Sequence, residues 1–90
     1  MNYRCALPGP LKEVASTFHE FANGGAQATV ELKDGRKFEK VLISNSTAII
    51  AIRGFEEPPF NVEDIARLYQ TDADKNPTER GGWRYWDKWR

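Results

Sequence analysis

Residues 26–54 read AQATVELKDGRKFEKVLISNSTAIIAIRG, and their patterning decides the fold. Ala28, Val30 and Leu32 alternate with Gln27, Thr29, Glu31 and Lys33, which predicts a strand with one buried and one wetted face. Asp34-Gly35 then predicts a hairpin turn, since both residues tolerate the positive φ that matches the twist of paired strands. The returning strand begins with Phe38 inward and Glu39 outward and continues into Val41-Leu42-Ile43. Strict alternation from Phe38 would put Lys40 in the core, so a bulge or sharp bend is expected at Glu39-Lys40. A second turn at Asn45-Ser46 leads to a third strand over 47–53, apolar on both faces and ended by Gly54. The stretch is an antiparallel meander.

Before it, Leu11, Val14, Ala15, Phe18, Phe21 and Ala22 recur at helical spacing and form one apolar stripe. Pro10 suits a first helical position and Asn23-Gly24-Gly25 suits a left-handed end, so a helix over about 10–22 is expected. Residues 1–9 read as irregular, with Pro8-Gly9-Pro10 interrupting any regular element. After the meander, 55–60 (FEEPPF) is a loop, because Pro58 and Pro59 donate nothing to a ladder. Residues 61–70 are open to two readings. Val62, Ile65, Ala66 and Tyr69 fit a helix capped by Asn61; alternatively a short turn at 61–64 precedes a strand. The open edges of a three-stranded meander favour turn plus strand. Residues 71–82 read as a polar linker, and 83–90 hold three tryptophans and Tyr85.

Bulk properties set limits. One domain of 90 residues is close to the smallest that holds a core without disulfides or metal. Cys5 is the single cysteine, which excludes an intrachain disulfide and suits a reducing compartment; with no signal-like apolar start, the expectation is cytoplasm. Thirteen basic and 13 acidic residues cancel, so no general attraction to nucleic acid is expected. The distribution is uneven: six acids against Arg67 over 56–74, then four bases against Asp87 over 80–90.

In this order of elements the chain resembles the Sm-like, or SH3-like, small barrels. The resemblance lies in Val30-Glu31-Leu32-Lys33-Asp34-Gly35-Arg36, then Phe38 and Val41-Leu42-Ile43, with Val62 to Leu68 similar to the short turn and closing strand. Helix, hairpin and that late segment together are similar to the Rof family, bacterial inhibitors of the Rho termination factor. The resemblance spans about 10–70 and implies an α+β, mainly β fold: an N-terminal helix, then a small, strongly bent antiparallel barrel, with the Trp-rich tail appended. It also implies a Rho-type protein partner. Where such barrels carry a glycine at the second-strand bend, this chain has Glu39-Lys40.

Catalytic chemistry finds little support. His19 is the single histidine, placed on the helix off the apolar stripe, and general base work needs a positioned partner. No phosphate-binding glycine loop or nucleophile elbow occurs, so neither an enzyme nor a cofactor is expected. No metal site is expected either: Asp72, Asp74 and Asn76 begin a calcium-loop pattern that Pro77 and Trp83 break, leaving a solvated acidic linker. Two binding surfaces stand out. Phe55, Glu56, Glu57, Phe60, Glu63 and Asp64 form an acidic, aromatic loop suited to a basic protein surface, or one whose rings cap the barrel end. Arg36, Lys37 and Lys40, with Trp83, Arg84, Trp86, Lys88, Trp89 and Arg90, interleave cations and stacking rings as single-stranded nucleic acid requires. The same tail can instead pack on the domain or meet a protein. The expectation is a non-catalytic binding or regulatory module with a protein partner first and RNA second.

Overall fold

The fold turns on the bulge. In the structure, a computed structural model that describes residues 4–21 and 24–75, β2 (Gly25–Leu32) pairs antiparallel with β3 (Lys37–Ser44). Ala28 faces Val41 and Val30 faces Phe38, so Thr29 alone stands opposite Glu39 and Lys40. The extra residue puts both Phe38 and Val41 on the inner face, and Lys40 absorbs the kink with φ +57°. This is the bend read from the phase break, and it curls the sheet.

The hairpin loop differs from the expected two-residue turn. Gly35 donates its N–H to the Leu32 carbonyl (2.9 Å), Leu32 donates to the Arg36 carbonyl (2.8 Å), and only Gly35 has positive φ, at +95°. Three residues therefore span the loop, with glycine in its left-handed position. At the next turn Asn45 and Ser46 both take positive φ, 51° and 62°, and β4 runs Ala48–Ile52, a residue shorter at each end than the expected 47–53.

The remaining elements complete the sheet in the order β1-β4-β3-β2-β5. A 3₁₀ turn at Val62–Asp64 leads into β5, Ile65–Tyr69, which lies antiparallel beside β2. Turn plus strand wins over helix because pairing with β2 satisfies backbone groups that the meander leaves at its edge. At the opposite edge, β1 is the pair Cys5–Ala6 against Ile49 and Ala48, so the segment read as irregular contributes a strand. The result is a strongly curled antiparallel half-barrel. Its inner core joins Leu7, Ala28, Val30, Leu32, Val41, Ile43, Ile49, Ile52, Ile65 and Leu68.

The N-terminal helix α1 is shorter than its apolar stripe, running Gly9–Ala15 rather than 10–22. The hydroxyls of Ser16 and Thr17 donate to the Glu13 and Val14 carbonyls (both 2.7 Å), and Thr17 and Phe18 N–H groups close tighter i→i−3 bonds. These side chains compete with helix continuation. The stripe then divides. Leu11, Ala15 and Phe18 pack on the inner core, Val14 is 40% exposed, and Phe21 packs on a second cluster formed by Leu42, Ala48, Ile50 and Ala51. His19 thus lies beyond the helix, where its backbone is gripped by one side chain. Gln70 Oε1 accepts the His19 N–H (2.8 Å), while Gln70 Nε2 donates to the His19 and Gln27 carbonyls (both 2.9 Å). No described helix is long and apolar enough to cross a membrane.

The face of β2 expected to be wetted is covered. Gln27 and Thr29 are buried because α2, Asp72–Lys75, sits over them where a solvated linker was expected. Asp74 is 3% exposed and accepts from Gln27 Nε2 (3.0 Å), Thr29 Oγ1 (2.8 Å) and the Thr71 N–H (3.0 Å). Its own N–H donates to Thr71 Oγ1 at 3.2 Å, which completes a reciprocal cap.

Two stability outcomes are expected. Lys40→Gly relieves a left-handed side chain, worth about 1–2 kcal/mol per residue, against a smaller gain in unfolded-chain entropy. The urea midpoint should rise modestly, and Lys40→Val should lower it. Asp74→Ala strands two buried donors and should cost roughly 2–4 kcal/mol, read as a lower midpoint at unchanged m.

Candidate functional site

The acidic loop and Arg36 of the hairpin meet at one end of the half-barrel. Arg36 and Lys37 enter it from the β2–β3 hairpin, and residues 55–64 enter from the connection between β4 and β5. What joins them is Phe38. Its ring lies 5.6 Å from Phe55, edge to face, and 5.0 Å from Phe60, and the Arg36 guanidinium sits 5.9 Å from the Phe38 centroid. Such ring pairs contribute about 0.5–1.5 kcal/mol each beyond buried area.

Local backbone chemistry sets each group. Gly54, at φ +94°, turns the chain back so that Phe55 N–H donates to the Ile52 carbonyl (3.0 Å) and Phe55 bridges to Ile52. The turn delivers the Phe55 ring to Phe38, leaving it 38% exposed. Phe60 is half-buried and, with Val62, packs on the inner core. Phe60 thus packs at the barrel end, while Phe55 stays 38% exposed beside Phe38. Asp64 is anchored through its backbone, accepting the Lys33 N–H at 2.9 Å and donating to Asn61 at 2.9 Å, so its carboxylate stays exposed.

An open cleft results, lined by Arg36, Pro58, Pro59, Phe60, Asn61 and Asp64, and continuing past Lys33 and Asp34. Glu56, Glu57 and Glu63 are exposed beside it without lining it. Neither Lys37 nor Lys40 lines the cleft, so of the expected cationic triplet Arg36 alone does. Trp83, Arg84, Trp86, Lys88, Trp89 and Arg90 lie outside the described residues.

The Arg36 charge is partly committed. Asp34 Oδ1 accepts the Arg36 backbone N–H at 3.0 Å and Oδ2 accepts Nε at 2.9 Å. That backbone bond first, then the guanidinium, holds the Asp34 carboxyl below the usual carboxylate range. The depressed value means that this support is complete above the ordinary aspartate pKa and fades as pH falls through the lowered one. At the other edge, burial pushes the Cys5 thiol up, the opposite of an activated nucleophile.

One residue of consequence escaped the sequence reading. Asp74 was absorbed into a failed calcium pattern, whereas Thr71-Asp72-Ala73-Asp74 is a capping-box arrangement that announces a helix start.

Compared with protein-family models, with curated proteins and with solved structures, the chain finds no significant match.

Replacing Gly54 tests how the end is built. Gly54→Ala forces a side chain into a left-handed turn and should cost about 1 kcal/mol or more. The Phe38 ring resonances should shift with it, because the turn that delivers Phe55 is strained.

Proposed function

We propose that the protein is a non-catalytic binding module that engages a protein partner through the open end of its half-barrel. The observation that carries this reading is the convergence on Phe38. An exposed aromatic, a proline-edged cleft, Arg36 with Lys33 beside it and a fringe of carboxylates occupy a single surface. Interfaces between proteins draw their affinity from a few aromatic and arginine anchors surrounded by a polar rim. Phosphate backbones need the reverse, cations without carboxylates beside them. Glu56, Glu57, Glu63 and Asp64 favour a basic protein patch over RNA.

The half-barrel is compatible with a small barrel of the Sm-like or SH3-like kind. Lys40 takes the left-handed conformation at the bend where such barrels bear glycine, which supports that kinship. A Rof-like arrangement would make the partner a Rho-type factor in the cytoplasm.

The test places a photo-crosslinking phenylalanine at position 55. A discrete protein adduct is expected, lost when Glu56, Glu57 and Glu63 are reversed to lysine with the circular dichroism unchanged. An adduct indifferent to those reversals, or crosslinking to RNA in its place, overturns the reading.

A further inference from the structure

The outer face of the sheet carries its own apolar strip, separate from the barrel end. Gln27, Leu42 and Ala51 form one cross-strand row, and Ile50, bulged out between Ile49 and Ala51, lies beside it. Leu42, Ala48, Ile50 and Ala51 make up the cluster, and Phe21 is the partly buried hydrophobic packed against it among the described residues. The strip begins at the side chain that Asp74 clasps.

Gln27 supplies the second observation. It is 3% exposed and donates from Nε2 to Asp74, but its Oε1 is buried with no hydrogen-bond partner among the described residues. A buried acceptor left alone costs about 1–3 kcal/mol, so this position asks for a donor from an otherwise apolar group. An indole fits: a wide ring with one N–H that donates and accepts nothing.

The chain carries indoles within reach of this place. Helix α2, Asp72–Lys75, is pinned over β2 by Asp74, whose carboxylate holds the Gln27 side chain at the head of the strip. Strands about 4.8 Å apart put β4 about 10 Å from β2. The eight residues from Lys75 to Trp83 span up to about 26 Å when extended. All three tryptophans of the protein fall within 83–89. We propose that the strip of Leu42, Ile50 and Ala51 is the docking seat for the chain's own segment 76–90. A tryptophan covers the apolar row and donates its indole N–H to Gln27 Oε1. The tail thereby belongs to the fold, and its cations do not form an independent nucleic-acid arm.

Because no tryptophan lies elsewhere, indole emission reads this segment alone. In the native 90-residue chain the emission should be blue-shifted and several-fold less quenched by acrylamide than in urea, at every protein concentration. Ile50→Asp, with far-UV circular dichroism retained, should return quenching to the unfolded level. In the wild-type chain, nuclear Overhauser contacts from Leu42 and Ile50 methyls to indole protons are expected, a reading that requires no variant. Native quenching equal to that in urea overturns the docking. So does protection that grows with concentration, the mark of a second copy, or protection without those methyl contacts.

Discussion

A mismatch of one residue between two neighbouring strands governs this molecule. Thr29 opposite Glu39 and Lys40 lets Phe38 and Val41 face inward together, and the bend it imposes curls the sheet around its core. Without the bulge, strict alternation would drive the Lys40 ammonium among Val30, Ile52 and Leu68, an unpaired charge in an apolar interior. The left-handed backbone at Lys40 is the smaller cost. The same bend places the Phe38 ring at the barrel end, where Phe55 and Phe60 gather on it. The Lys40 carbonyl also accepts the Arg53 N–H at 3.1 Å, which ties the end of β4 to the kink just before the Gly54 turn.

The meander was legible because each strand carries a face, and a break in phase has one physical remedy. The closing strand was legible for a different reason: exposed ladder edges are costly, which outweighed the helical spacing of Val62, Ile65 and Tyr69. Less could be read where polar side chains do structural work. Ser16 and Thr17 end α1 through carbonyls that periodicity does not register. Gln27 and Thr29 look solvated until a carboxylate 45 or more residues away covers them. The candidate site was half legible. Its residue types stood out, but the meeting of hairpin and loop on Phe38 depends on the Gly54 turn and on β5 reaching β2.

Polar side chains here hold the segments that periodicity cannot place. The Gln70 amide meets the His19 peptide as a neighbouring strand would, one acceptor and one donor side by side, and so laces the chain where it passes from inner to outer face. Asp74 does the same for α2, a four-residue helix too short to persist alone. Each replaces backbone pairing that irregular chain lacks, and both join positions more than 40 residues apart.

The two-residue strand β1 also bears on the order of folding. β2, β3 and β4 join through short turns and can associate while the rest of the chain is open, whereas Cys5 must find Ile49 across 43 intervening residues. Closing so long a loop carries a high entropic cost with little pairing to offset it, so this edge zips last. Until it does, the apolar β4 presents an unpaired ladder to other chains, and the vulnerable period in the life of this protein is its assembly.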